Sequence, residues 1–378
     1  MSIIEKIRQF KKAYLNYKPL IEVFIYKQHL LDNLSQYQKH YPNLQFAPVL
    51  KANAYGHGLE QVSEILKGEN LPFVCVDSLF ELKIVEKFAP KLEVLVLGFT
   101  RTESVITSNS TKTVFTIMSL SQLQELSKNL HKPKKFHLKL DTGLHRQGIL
   151  PEDFSEAVQL IGQNPNILVR GVFSHFGDPY NETSTLKQIE TFNKGVKFFT
   201  SKFSKIKYTH LSATEGVGLS SNINANLVRL GIGFYGITDG LNSSLNLKPA
   251  LEVRSIITGV KIIQPQEAVG YGFTFTASKA MALATVPVGY FEGIDRRLSN
   301  KGFLSINGEF SPLVGRVSMN ISTLDISQNK NAKFGDVVVI ISPQTDDKNS
   351  VANIAKLCET LERDILVHIP VHLKRTIV

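Results

Sequence analysis

Between residues 45 and 232, short apolar runs rich in β-branched and aromatic residues alternate with stretches whose apolar positions recur every three to four residues. The runs are QFAPVLK (45–51), FVCVD (73–77), EVLVLG (93–98), TVFTIM (113–118), KFHLKLD (135–141), VRGVFSH (169–175), YTHLS (208–212) and LVRLGI (227–232). They read as buried strands, and GLEQVSEILKG (58–68), SLFELKIVEKF (78–88), SLSQLQELSKNL (119–130) and TLKQIETFNKGVKFFTSKF (185–203) read as amphipathic helices between them. Eight strands alternating with helices predict an α/β fold built on a (β/α)8 barrel. A doubly wound open sheet fits the alternation but does not predict the count.

After about residue 240 the pattern changes. ALEVRSIITGVKII, AMALATVPVGY, FLSINGEFSPLVGRVSMNISTLDI and DVVVIIS read as strands joined by tight turns, with one helix, SVANIAKLCETLERD, near the end. The expectation is a barrel over 1–242 followed by a mostly β domain over 243–378. The segment IEVFIY (21–26) precedes the barrel strands and could pair with that second domain instead.

Composition narrows the class. Hydrophobic residues make up 43% and charged residues 20% of 378, an ordinary globular balance. LVRLGIGFYGI is too short to span a membrane and carries Arg229, and the amino-terminal MSIIEKIRQFKKAYLNYKP lacks the apolar core of a secretory signal. A cytoplasmic protein with no membrane partner is the simplest reading. Cys75 and Cys358 read as buried thiols, and no Cys/His cluster has zinc-site spacing, so no metal is expected. The net charge is +10, but its densest cluster, HKPKKFH (131–137), reads as a solvated loop before a strand. Small anionic ligands suit that charge better than nucleic acid.

In such a barrel, functional side chains sit at the carboxyl ends of the strands. Lys51, Lys139 with Asp141 and Arg146, His175, Thr214 and Arg229 all fall there. Taken singly, each has a structural alternative: a solvated strand end for Lys51, a core histidine for His175, a wall ion pair for Arg229. Their convergence on one rim argues for a site. A lysine amine there can attack an aldehyde to form a Schiff base. Gly231 and Ile232, at the end of the eighth strand, offer backbone N–H groups where barrels commonly bind phosphate. A lysine with a phosphate cradle suggests pyridoxal phosphate.

Seven separated motifs carry a resemblance to a known family. VLKANAYGHG, LKLDTGLHRQG, FSHF, VRLGIGFYG, VGYGFTF, VPVGYFEG and VGRVSMN occur in the order and approximate spacing of the alanine racemases, fold-type III pyridoxal phosphate enzymes. The match runs from about residue 22 to the carboxyl terminus. The resemblance implies a barrel followed by a β domain, a head-to-tail homodimer with shared active sites, and production of D-alanine for peptidoglycan.

By the same resemblance, Lys51 holds the cofactor and acts as one of two bases, and Tyr271, from the partner subunit, is the other. Racemisation needs bases on both faces of a planar carbon. A free tyrosine titrates near pH ~10, so Tyr271 needs help, which His175 with Arg229 beyond it would give. Arg229 would face the pyridine nitrogen, Arg146 the substrate carboxylate, and Met319 would offer its backbone N–H. Tyr55, Thr214, Gly231 and Ile232 would bind phosphate. Tyr290 and Arg296 would line the entrance from the other subunit, although packing serves Tyr290 equally well. Lys139 matches a position that is often a carbamylated lysine supporting the arginine; an ordinary amine is the alternative.

Three positions depart from the family pattern. Ala213-Thr214 replaces Asn-Ser, Asn320 stands for an aspartate, and Arg363 for a tyrosine at the substrate entrance. These leave substrate range open to a serine or broad-specificity racemase. A non-catalytic pyridoxal phosphate carrier is the alternative of another class, disfavoured by the β domain and Tyr271. A metal-dependent D-amino-acid aldolase would need a metal pair such as His368 and His372 on one strand face near Cys358.

Overall fold

The structure, a computed structural model, describes residues 17–237 and 244–378. After β1 (Glu22–Ile25) and α1 (Lys27–His40), the chain runs through β2 (Gln45–Pro48), α2 (Leu59–Leu66), β3 (Val74–Val76), α3 (Leu79–Phe88) and β4 (Val94–Val96). It continues through α4 (Thr102–Thr107), β5 (Thr113–Ile117), α5 (Leu120–Asn129), β6 (Lys134–Lys139), α6 (Phe154–Gln163), β7 (Ile167–Phe173), α7 (Glu182–Lys202), β8 (Tyr208–His210) and β9 (Leu227–Leu230). Strands β3 to β8 pair in sequence order and β2 pairs with β9, all parallel. A Val49–Cys75 bridge joins β2 to β3. Asn226 N–H donates to Thr209 O at 3.0 Å and Arg229 N–H to Ser212 O at 3.2 Å, joining β8 to β9. The ring is therefore closed, and the eight apolar runs form a (β/α)8 barrel.

Its strands are apolar without alternation because both faces are covered: every residue of β3, β4 and β5 is buried. Serine and asparagine set several helix starts by accepting a backbone N–H two or three residues on. Ser78, Ser119 and Asn181 do so for α3, α5 and α7. The Asn181 cap explains why α7 begins at Glu182, before the expected 185. Each strand stops short of its expected end because the chain leaves the ladder at the rim, where the polar residues lie.

The second compact unit joins β1 to Leu251–Val378. Its strands are β10 (Leu251–Ile256), β11 (Gly259–Ile263), β12 (Ala268–Val269), β13 (Phe275–Thr276), β14 (Met281–Val286), β15 (Phe303–Ile306), β16 (Glu309–Pro312), β17 (Ser322–Asp325), β18 (Val337–Ile341) and β19 (Lys374–Ile377). One sheet has the order β16-β15-β18-β10-β1-β19, a second β11-β14-β17, and β12-β13 form a hairpin. Strand β1 lies antiparallel to β10 and parallel to β19. The expected division at 242/243 lies outside the described residues, as do residues 1–16 of the amino-terminal stretch; the barrel unit is Tyr26–Ala250.

Two expectations fail near the carboxyl terminus. The single helix over 350–364 is two, α8 (Val351–Leu357) and α9 (Glu362–Val367), because Glu359 takes a left-handed φ of +53° between them. His368 and His372 do not share a strand face. His368 caps α9 with its Nδ1 donating to Asp364 O at 2.7 Å, and His372 precedes β19 with its ring stacked on Phe291 at 5.0 Å. Pro370, which has no N–H, stands between them. Among the described residues no group of three metal-ligating side chains comes together, and no helix is long and apolar enough to cross a membrane.

Candidate active site

Lys51 lies three residues beyond β2 and opens a turn of unusual hand. Ala52, Asn53, Ala54 and Tyr55 have φ of +54°, +54°, +53° and +50°, one left-handed helical turn made without glycine. Side chains disfavour this hand by roughly 1–2 kcal/mol per residue, so the surroundings must impose it. Ala54 N–H donates to Leu50 O at 2.8 Å, Gly56 N–H to Ala52 O at 3.1 Å and Gly58 N–H to Asn53 O at 2.9 Å. Asn53 Oδ1 accepts from Leu59 N–H at 2.9 Å, and Glu81 Oε1 accepts from Ala52 N–H at 2.7 Å. Strain held by so many bonds marks functional segments.

On β9, the strand paired with β2, Arg229 is fully enclosed. Its Nη2 donates to Ser174 O at 2.7 Å, Leu211 O at 3.0 Å and His175 Nδ1 at 3.2 Å; its Nη1 donates to His210 O at 3.1 Å and to His210 Nδ1. These donors fix the tautomers. His210 accepts at Nδ1, so its Nε2–H donates to His137 Nδ1 at 2.9 Å, and His137 keeps its proton on Nε2, a buried atom without a partner. His175 likewise accepts at Nδ1 and presents an Nε2–H. Burial, and then the Arg229 charge, lower the pKa of His137 and of His175 to about 3, so both rings are neutral. Burial lowers Arg229 to about 10, which leaves it a cation at neutral pH.

Lys139, at the end of β6, donates to Gln147 Oε1 at 3.2 Å. Burial, followed by the charges of Arg146 and Arg229, lowers its pKa to about 8, with Asp141 opposing. The loop bearing Arg146 is anchored by Asp141 Oδ1, which accepts from Gly143 N–H at 3.0 Å and His145 N–H at 3.1 Å. A cleft of about 410 Å³ opens here, lined by Arg146 with Phe99, Met118, Asp141 and His145.

The remaining rim residues suit a phosphate. Thr214 Oγ1 accepts from Gly233 N–H at 3.1 Å, and a Cβ added at Gly231 would lie 3.0 Å from Tyr55 Oη and 3.8 Å from Thr214 Oγ1. Glycine at 231 keeps open a cradle bounded by two hydroxyls, where the Ile232–Tyr235 turn begins. An amine at one strand end, hydroxyls and backbone around a glycine, and a buried fixed cation are the donor set that pyridoxal phosphate needs, and these residues fit it.

On the second unit, Tyr271 opens a short turn between β12 and β13 and is 72% exposed; Met319 is 55% and Tyr290 44% exposed. The turn bearing Met319 is clamped to the segment bearing Tyr290. Tyr290 N–H donates to Ser318 O at 3.1 Å, Phe291 N–H to Met319 O at 2.9 Å and Asn320 Nδ2 to Glu292 Oε1 at 2.6 Å. A side chain at Gly289 would meet Ser318 O at 2.2 Å, so only glycine permits this approach. Arg296 starts the next turn, and Arg363 lies in the first turn of α9.

The family models for the alanine racemase N-terminal and C-terminal domains match residues 25–239 and 250–377. The chain belongs to the alanine racemase family. The alanine racemase of Lactobacillus acidophilus is 32% identical over 351 residues, 88% of this chain and 91% of that protein. The solved alanine racemase of Clostridium difficile 630 is 26% identical, with a TM-score of 0.87 over 96% of this chain and 97% of that one. The Bartonella henselae alanine racemase, solved with covalently bound pyridoxal phosphate, shares the fold at 22% identity, a TM-score of 0.83 and coverage of 96% and 100%.

Two of the departures from the alanine racemase pattern have local compensation. Asn320 lacks the expected negative charge, but the Glu292 carboxylate lies at bonding distance from it. Thr214 keeps the hydroxyl of its pair and engages the Gly233 amide. Sequence reasoning missed His210, His137, Glu81 and Gln147. His137 carries a signal in retrospect: a Cβ at Gly171 of the neighbouring strand would lie 2.7 Å from its ring, so that glycine makes room for it. Glu81 follows Ser78 at helix-cap spacing, which suggests a local task only.

Proposed function

We propose that the barrel rim and the Tyr271 surface of a second copy of this chain form one site. There the enzyme interconverts L- and D-alanine with pyridoxal phosphate. What supports this most is the strained turn that carries Lys51 at one end and Tyr55, bounding the Gly231 cradle, at the other. Tyr55, Thr214 and the Gly231 and Ile232 amides hold the phosphate, and Lys51 holds the cofactor covalently. When bound, pyridoxal phosphate supplies a conjugated ring that takes up the electrons left at Cα when its proton departs.

Lys51 moves the Cα proton on one face and the partner's Tyr271 on the other. His175, neutral and with its Nε2–H outward, stabilises the tyrosine as phenolate by donating to its oxygen. Arg229 remains a cation with only donors to offer, so it leaves the ring nitrogen unprotonated. Arg146 and the Met319 N–H take the substrate carboxylate, a task that suits the planar guanidinium. Lys139 supports Arg146, either carbamylated or as the amine held by Gln147. Tyr290, Arg296 and Arg363 line the entrance. The working form is a cytoplasmic homodimer, and its D-alanine goes to peptidoglycan.

Proton NMR of the cofactor-loaded protein in deuterium oxide tests this reading, with L-alanine, L-serine, L-lysine, L-arginine and L-glutamate supplied in turn. Fast loss of the α-proton signal confined to alanine, with D-alanine found by chiral assay, is the expected result. Exchange across the whole set would assign a broad racemase, and none at all would leave a cofactor carrier.

A further inference from the structure

Helices α3 and α5 begin alike. Each has a serine cap, Ser78 or Ser119, followed three residues later by Glu81 or Gln122. In a capping box with this spacing, the third residue's side chain returns to the N–H of the cap residue itself. The serine half forms in both helices: Glu81 N–H donates to Ser78 Oγ at 3.3 Å and Gln122 N–H to Ser119 Oγ at 3.1 Å. The other half is diverted in both.

Gln122 Oε1 accepts from Met118 N–H at 2.9 Å, and its Nε2 donates to Thr100 O at 3.1 Å, in the loop after β4. Glu81 makes the equivalent bridge with different chemistry. Its Oε2 accepts from Asp77 N–H at 2.7 Å and its Oε1 from Ala52 N–H at 2.7 Å. The first bridge needs one acceptor and one donor, and a carboxamide provides them. The second needs two acceptors, and a carboxylate provides them.

Ala52 N–H belongs to the peptide that joins Lys51 to the left-handed turn. The plane of that peptide couples the ψ of Lys51 to the φ of Ala52, held at +54°. As an amide at the start of a helical turn, it has no acceptor within the turn. We infer that Glu81 is a positioning residue for Lys51: its carboxylate ties the Lys51–Ala52 peptide to the end of β3 and so aims the lysine amine. This rests on the reading of Lys51 as the cofactor lysine. Glu81→Gln is the discriminating change, because it keeps the shape and places an NH₂ where one of the two backbone N–H groups needs an oxygen. Gln122→Glu alters the same motif away from Lys51.

The test uses the full chain and two readouts other than turnover. One is hydrogen exchange of peptides covering residues 50–56 in the cofactor-free protein. The other is the fraction of Lys51 trapped by borohydride after incubation with pyridoxal phosphate, read by peptide mass. Glu81→Gln should speed exchange in 50–56 roughly tenfold to a hundredfold, as expected for loss of a charge-assisted bond, and lower the trapped fraction. Glu81→Asp, which keeps the charge but cannot span both amides, should behave the same way and covers a failure of the first variant to fold. Gln122→Glu should lower the melting temperature and leave both readouts as in wild type. Wild-type exchange and trapping in the Glu81 variants would overturn the inference, as would equal losses in Gln122→Glu. If the wild-type protein traps no cofactor, the Lys51 reading fails, and the exchange comparison still decides the role of Glu81.

Discussion

The barrel rim and the Tyr271 surface treat their polar groups in opposite ways. At the rim and just beneath it, Arg229, His210 and His137 are buried and joined by hydrogen bonds, and the Lys51 turn is held in a left-handed conformation by backbone and side-chain bonds. On the β unit, the backbone is equally well clamped, but Tyr271, Tyr290 and Met319 stand largely in solvent. A fixed backbone that presents aromatic and amide groups outward is prepared for a surface outside itself. The rim offers buried cations, the Lys51 amine and the Gly231 cradle, and its own phenol, Tyr55, is turned to that cradle; the β unit offers an exposed phenol, Tyr271. The difference is what two halves of one site would show when borne on separate surfaces.

Breaking the rim half should have the largest effect. Lys51→Ala should abolish the borohydride-trapped cofactor and reduce racemisation by about 10²–10⁴-fold or more, the range associated with a positioned base; a persistent adduct would refute the assignment. Tyr271→Phe removes only the β-unit half. It should slow α-proton exchange from one alanine enantiomer by roughly a hundredfold while leaving exchange from the other much closer to wild type. Equal slowing for both enantiomers would contradict a face-specific role.

Smaller changes sharpen the contrast. Gly231→Ala puts a methyl 3.0 Å from Tyr55 Oη and should weaken cofactor binding about tenfold, measured by fluorescence titration. Unchanged affinity would place the phosphate elsewhere. The pH dependence of stability should report the rim rather than the β unit. His137 and His175 titrate near 6.5 when unfolded and at about 3 when folded. Their folded pKa values are depressed, so unfolding takes up protons between those limits. The stability they provide is complete above about pH 6.5 and is lost as pH falls toward 3. Urea midpoints should therefore decline between about pH 6.5 and 5, above the usual carboxylate range; a flat profile there would contradict the buried neutral pair.

The barrel was legible because its strands are covered on both faces and therefore read as unbroken apolar runs, such as TVFTIM, set between amphipathic helices. Lys51 and His175 were legible because each closes an apolar run, and Arg146 and Arg229 because they sit in motifs that carry the family resemblance. His210, which ends β8, and His137, inside β6, were not, because each joins the site only through the side-chain chain to Arg229. Glu81 was hidden for a different reason: its spacing from Ser78 describes a helix cap, and only the folded barrel brings Ala52 N–H within its reach. The broken helix at 350–364 escaped notice because Glu359, an ordinary helix former, takes a left-handed φ there.

Mixing two damaged chains tests the shared site most directly. Lys51→Ala and Tyr271→Phe proteins, each nearly inactive alone, are dissociated together, allowed to reassociate and assayed for racemisation. In a head-to-tail dimer, each mixed pair contains one site with an intact Lys51 and an intact Tyr271, so random pairing should restore about a quarter of wild-type activity. No recovery, with mixed dimers demonstrated by mass, would mean that Lys51 and Tyr271 of different chains do not meet.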